Sequence, residues 1–264
     1  MPIPAPSASA RAVITGASAG IGRQLATELA RRGHSVLLIA RREAELTELA
    51  DDLHKRFGVT ADVLAADLGD PESLANVVST LQSTEVSVLC NNAGVGSFGD
   101  IVDLDHDFER QIVRVNAVAT HELTLAVLPQ MVKRGSGGIL MVGSIAGNLP
   151  IPGNATYSAT KGFVNNLAEA LRVEVAEKGV NITLLAPGPV RTEGNTDMEG
   201  VPDFAWYPAD KAARDSIDAL ERNKQRIVPG TFSKAISTAA AYAPRKISAF
   251  VAGKAFRGQV GPSE

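Results

Sequence analysis

Short, nearly all-apolar runs alternate along this chain with longer stretches in which apolar positions recur every three or four residues. The apolar runs at 11–15, 34–40, 61–66, 86–90, 138–142 and 181–186 read as strands, first to sixth. The periodic stretches read as helices over 21–32 and 43–57, the second carrying Leu46, Leu49 and Leu53 on one face. Another helix opens at Asp70-Pro71, with proline in its first turn, and a long one covers about 108–132. A helix holding Tyr157 continues through the periodic stretch 163–176. Strands that are apolar throughout and separated by helices predict an α/β fold with a parallel sheet covered on both faces. Right-handed crossovers make that sheet doubly wound, and ligands bind beyond the carboxyl ends of its strands.

Composition narrows the function classes. The chain has 264 residues, is 45% hydrophobic and 21% charged, and carries a net charge of −3, which gives no sign of a nucleic-acid partner. No linker divides it, so a single domain is expected, with a core over 11–230. Residues 1–10 alternate Pro, Ala and Ser without the pattern of a signal peptide, and are expected to form a loose, flexible arm. No apolar run of membrane-spanning length occurs, so no transmembrane helix is expected. The single cysteine, Cys90, precludes an internal disulfide and fits a reducing cytoplasm. Four histidines are scattered without ligand spacing, so no metal site is expected.

The candidate chemistry sits where strands end. Tyr157 and Lys161 are four apart on a helix and share a face, and an ammonium beside a phenol is expected to lower the tyrosine toward neutrality. Such a tyrosine can give or take a proton, although alone the pair also describes a surface lysine beside a half-buried tyrosine. After the first strand comes Thr15-Gly16-Ala17-Ser18-Ala19-Gly20-Ile21-Gly22, followed by a helix. Glycines there let the backbone turn tightly and approach a pyrophosphate at the helix N-terminus, so the turn reads as a dinucleotide site. At the end of the second strand, where an NAD site carries an acid, stand Ala40, Arg41 and Arg42. Arginine there suits a 2′-phosphate, which favours NADP(H) over NAD(H). Asp67, followed by Leu68, is placed to meet the adenine or to cap a turn. Asn91-Asn92-Ala93-Gly94 forms a small turn that leaves room for a cofactor or simply ends the fourth strand.

These motifs together resemble the short-chain dehydrogenase/reductase family: the turn at 15–22, Asp67, Asn91 to Gly94, Asn116, Ser144, Tyr157 with Lys161, and Pro187-Gly188-Pro189-Val190-Arg191-Thr192, in family order. The resemblance implies a Rossmann sheet of seven strands in order 3-2-1-4-5-6-7, with 226–228 as the last strand. It implies reversible hydride transfer between a nicotinamide cofactor and a carbonyl or alcohol, in a dimer or tetramer. By the family's roles Tyr157 is the proton donor, Lys161 holds the nicotinamide ribose, Ser144 orients the carbonyl, and Asn116 holds a water leading to Lys161. Pro187, Gly188, Val190 and Thr192 lie over the nicotinamide, and the cofactor also meets Gly16, Ser18, Ala19, Gly20, Ile21, Gly22, Arg41, Arg42, Asp67, Leu68, Asn92, Ala93 and Gly94.

Within the family the chain is similar to an actinobacterial branch of mycolate reductases, through its first six residues, the stretch 146–157, the segments 219–224 and 228–230, and Tyr242-Ala243-Pro244-Arg245. That similarity implies reduction of the 3-oxo group of a long branched acyl chain. A 3-oxoacyl-carrier-protein reductase, a broad carbonyl reductase or alcohol dehydrogenase, and a non-catalytic NADP(H) sensor are the alternatives. Residues 193–210 are expected to form a substrate lid, with Phe204, Trp206 and Tyr207 making it apolar. The tail 231–264 is basic and carries two helical patterns split at Pro244. It can pack on the core or a second subunit, or lie on an anionic membrane, so the expected location is the cytoplasm or the inner membrane face.

Overall fold

Side chains along the apolar runs divide alternately between two faces, as a pleated backbone requires. In the computed structural model of the chain, residues 3–192, 201–242, 244 and 261–263 are described. The strands are β1 (Arg11–Thr15), β2 (Val36–Ala40), β3 (Ala61–Ala65), β4 (Val86–Asn91), β5 (Gly96–Phe98), β6 (Gly137–Val142), β7 (Val180–Leu185), β8 (Val190–Arg191), β9 (Tyr207–Pro208), β10 (Arg226–Ile227) and β11 (Gly261–Ser263). The helices are α1 (Gly20–Arg31), α2 (Glu43–Phe57), α3 (Pro71–Ser83), α4 (His106–Val113), α5 (Thr120–Arg134), α6 (Ala155–Glu174), α7 (Ala209–Glu221) and α8 (Thr231–Tyr242).

Seven strands form one parallel sheet in the order β3-β2-β1-β4-β6-β7-β10. Numbered within that sheet alone, this is the order 3-2-1-4-5-6-7. On one face Ile14, Leu38, Cys90 and Leu140 pack against Leu25 and Leu29 of α1, Leu49 of α2 and Ile217 of α7. On the other, Val13, Ile39, Leu89, Ile139 and Leu184 pack against Val77 of α3, Leu123 and Val127 of α5, and Val164 of α6. Each fully buried aliphatic side chain here contributes about 1.5–3 kcal/mol. Local signals set the helix ends: Asp70 accepts from the Ser73 N–H at 2.8 Å ahead of Pro71, and α2 and α5 stop at Gly58 and Gly135 in left-handed conformation (φ 69° and 70°).

The long helix expected over about 108–132 runs unbroken through α4 and α5, with Arg114–Ala119 between them wound as a wider π-helical turn. The start of the chain, expected as a loose arm, is exposed over residues 5–9 but anchored at Ile3. Ile3 is buried against Leu220 over Gly138, because a glycine at 138 leaves a hollow that the isoleucine side chain fills. Ser9 Oγ adds a hydrogen bond to Glu85 at 3.0 Å.

Of the expected lid, residues 193–200 lie outside the described residues. The part that follows forms a short 3-10 turn, Asp203–Ala205, and the β9 strand, which pairs in parallel with β8. Phe204 packs edge-on against Phe232 of α8 with ring centres 5.4 Å apart, and Tyr207 donates to Asp215 at 2.6 Å. Trp206 lies near the Arg191 guanidinium, 6.0 Å from ring centre to charge. The first helical pattern of the tail is α8, whereas the second, with Ile247, Phe250, Val251 and Phe256, lies outside the described residues. Among the described residues no helix is long and apolar enough to cross a membrane, and no cluster of metal-ligating side chains occurs.

Candidate active site

The strand ends of β1, β4 and β6 and the first turns of α1 and α6 meet at one edge of the sheet. Around β1, the loop 16–19 leads into α1, whose N-cap residue Ala19 offers no side-chain cap, so the first-turn N–H groups are left for another acceptor. Gly16 and Gly20 are in left-handed conformation (φ 66° and 55°). A β-carbon at Gly22 would lie 2.2 Å from the Gly16 carbonyl oxygen, so only glycine lets the turn close. Asn92 braces the turn from β4, its Nδ2 donating to the Thr15 carbonyl at 2.9 Å. Thr15 Oγ1 accepts the N–H groups of Asn92 and Ala93, each at 3.0 Å. Sequence reasoning gave Thr15 no role of its own; its signal is a hydroxyl ending an otherwise apolar strand.

The Arg42 guanidinium lies beside Ser18 of this loop, with Nη2 3.1 Å and Nε 3.3 Å from Oγ. Arg41 is its exposed neighbour at the end of β2. Asp67, after β3, accepts the Gly69 N–H at 2.8 Å on one carboxylate oxygen, and Leu68 is buried beside it. A cleft of about 340 Å³ opens there, lined by Asp67, Gly69, Gln111 and Arg114 among others. Thr192 closes the far side of the turn: a β-carbon at Gly20 would meet its methyl at 3.2 Å. An uncapped helix start, glycine-only clearances and an arginine–serine pair at the loop edge fit a phosphorylated dinucleotide.

Ser144, Tyr157 and Lys161 converge a short distance away. Ser144 follows β6 with an extended backbone, and its hydroxyl hydrogen-bonds the Tyr157 phenol. The same Oγ lies 3.4 Å from the Pro187 carbonyl and accepts the Ala146 N–H at 3.1 Å. Tyr157 occupies the first turn of α6, half-buried, and Lys161 the next turn, buried. The Lys161 ammonium donates to the Val142 carbonyl at 2.9 Å and stands 5.6 Å from the centre of the Tyr157 ring. Gly94 leaves it room, since a β-carbon there would come within 3.0 Å of Nζ.

Burial lowers the Lys161 ammonium to about 8. Burial also raises Tyr157 above its ordinary value, against the hydrogen bond from Ser144, which lowers it. This reverses the expected direction for the phenol. The physical reason is that the cleft disfavours the phenolate, while the ammonium is turned toward Val142.

Asn116 sits in the π-helical turn. Its Nδ2 donates to the Val95 carbonyl at 2.9 Å and to Thr160 Oγ1 at 3.1 Å, and its Oδ1 accepts the Val95 N–H at 2.9 Å. It thus ties the loop after β4 to the helix that carries Tyr157. Asn165, to which sequence reasoning gave no role, bonds the main chain of Ser144. Its position in a helix facing a different strand end leaves no local signal.

Residues 10–213 match the family model for short chain dehydrogenases. The chain is 36% identical over 194 residues to the very-long-chain 3-oxoacyl-CoA reductase of Anas platyrhynchos, an alignment covering 71% of this chain but only 62% of that protein. Among solved structures, a short-chain dehydrogenase from Sphingobium yanoikuyae in complex with NADPH superposes with a TM-score of 0.80 at 32% identity, over 87% of this chain and 91% of that one. The bulky-bulky ketone specific alcohol dehydrogenase of Comamonas testosteroni superposes with a TM-score of 0.78, also at 32% identity, over 84% of this chain and 87% of its own.

Proposed function

The chain belongs to the short-chain dehydrogenase family, and from that premise we propose that it is an NADPH-dependent reductase of a ketone on a long acyl chain. The observation that carries this reading is the convergence of Ser144, Tyr157 and Lys161 beside the glycine turn. Gly16, Ser18, Gly20 and Gly22 would hold the pyrophosphate, Arg42 with Arg41 the 2′-phosphate, Asp67 the adenine end, and Lys161 with Pro187 to Thr192 the nicotinamide end. NADPH supplies a hydride when bound; the chain's own residues do the rest. In the bound state Ser144 Oγ–H and Tyr157 Oη–H would each donate to the substrate carbonyl oxygen, in hydrogen bonds that strengthen as charge develops on it. Tyr157 is held protonated by burial and would give its proton to that oxygen, after which the Lys161 charge, 5.6 Å from the ring centre, would favour the phenolate left behind.

The acyl substrate class draws support from the Anas platyrhynchos relative, which is named as a very-long-chain 3-oxoacyl-CoA reductase. The mycolate-type branched chain rests on the branch resemblance in the sequence. On the protein side, Phe204, Phe232 and Trp206 supply apolar surface beside the Pro187 to Thr192 loop. A homo-oligomer belongs to the same proposal: Val118 of the π turn, Leu125 of α5 and Phe163 of α6 are exposed, and Phe163 meets His121 of α5 edge-on. So does a cytoplasmic location, free or peripheral at the inner face of the cell membrane. The substrate test compares NADPH oxidation with a long-chain 3-oxoacyl thioester and with acetoacetyl thioester. Turnover on the long chain with little on the short one is expected; equal rates would overturn the lipid assignment and favour a general carbonyl reductase.

A further inference from the structure

Asn165 lies two helical turns beyond Tyr157 and is buried beneath the Ser144 turn. Its single amide takes both main-chain groups of Ser144: Nδ2 donates to the Ser144 carbonyl at 3.0 Å, and Oδ1 accepts its N–H at 3.4 Å. A side-chain amide here does for Ser144 what a neighbouring strand does for a residue in a sheet. The flanking glycines are there to let it in. A β-carbon at Gly143 would stand 1.9 Å from Asn165 Oδ1, and one at Gly147 would stand 2.6 Å from Nδ2.

The amide is itself held in orientation. Asn165 Nδ2 also donates to Asn148 Oδ1 at 3.0 Å, and the same oxygen accepts Arg226 Nη2 from the edge strand β10 at 3.0 Å. An oxygen that accepts two N–H bonds fixes which end of the Asn165 amide faces it. A chain of bonds therefore runs from a charge on β10, through Asn148 at the end of the 3-10 turn Ile145–Asn148, to the serine's own backbone.

We propose that Asn165 is a positioning residue for the Ser144 hydroxyl, and that Asn148 and Arg226 keep it in register. This rests on the ketoreductase reading above. Without the amide, the serine backbone can shift and its hydroxyl misses the carbonyl, while the cofactor turn on β1 is untouched. Misplacement of this kind costs about 10- to 100-fold in rate.

The test is a double-mutant cycle in the full chain with NADPH and a 3-oxoacyl thioester. Asn165→Leu, with Asn165→Asp as a second variant in case the leucine protein fails to fold, is expected to lower kcat about 10- to 100-fold with the Kd for NADPH changed less than about twofold. Adding either substitution to Ser144→Ala is expected to cost little more than Ser144→Ala alone, because the asparagine acts through the serine. A multiplicative loss in the double variant would mean that Asn165 merely packs, and would overturn the proposal, as would an unchanged kcat in the single variants. If Ser144→Ala itself left turnover intact, the ketoreductase reading would fall and this proposal with it.

Discussion

Asn116 grips Val95 by both main-chain groups, at 2.9 Å on each side. Val95 is the residue after Gly94, whose missing side chain gives the Lys161 ammonium its space. The same amide reaches Thr160, which donates to the Tyr157 carbonyl at 2.8 Å. The π-helical turn brings Asn116 to this junction, in keeping with the tendency of such turns to occur at functional sites.

Asn116→Ala leaves the Val95 N–H and carbonyl without partners. The expected cost is about 1–3 kcal/mol of stability, and Tm should fall by about 2–4 °C for each kcal/mol in a chain of this size. Thermal unfolding of the two proteins measures it. An unchanged Tm would mean that water replaces the amide at no cost.

Arg42 bonds Ser18 at the edge of the phosphate turn. Arg42→Ala is expected to weaken NADPH binding about 10-fold, the scale of one charge-assisted hydrogen bond, with NADH binding nearly unchanged. Fluorescence titration of both cofactors decides it. Equal losses for the two would place Arg42 away from the 2′-phosphate.

Lys161 is lowered by burial from 10.5 to about 8, and Tyr157 is raised. Below pH 8 the phenol can donate and the ammonium is charged, so ketone reduction should be level there and decline above about pH 8. Alcohol oxidation, which needs the phenolate, should rise with pH as long as Lys161 keeps its charge. For stability the sign follows from proton counts: between about 8 and 10.5 the unfolded chain binds more protons at Lys161 than the folded one. Burying the charged lysine costs stability in full below pH 8, and the protein gains stability as pH rises through that window. Rate profiles in both directions and urea unfolding on either side of pH 8 measure these effects. A reduction rate climbing steadily through pH 8 would contradict the assignment of Lys161 as the charge that matters.

Much of this was legible in the sequence, for reasons particular residues make plain. Strands such as 36–40 are apolar throughout because both faces are covered, and Asp70-Pro71 and Gly58 mark helix ends by local chemistry alone. Thr15 to Gly22, Ser144, Tyr157 and Lys161 carry the site because each follows directly on a strand end or begins a helix. What escaped depends on partners far off in the chain. The π turn at Asn116 coincides with its bonds to Val95, and no helical period encodes it. The burial of Ile3 depends on the gap above Gly138. Asn165 matters only because Gly143, Gly147, Asn148 and Arg226 assemble around it from three other elements. The direction of the Tyr157 shift likewise follows from burial, which spacing alone does not reveal.

The most direct test of the central claim is NADPH oxidation by the Tyr157→Phe protein with a long-chain 3-oxoacyl thioester, read beside its NADPH affinity. Loss of the proton donor is expected to lower turnover about 100- to 10,000-fold while the Kd for NADPH stays within about twofold. Turnover that survives the substitution would contradict the account, because the proton would then come from somewhere other than Tyr157.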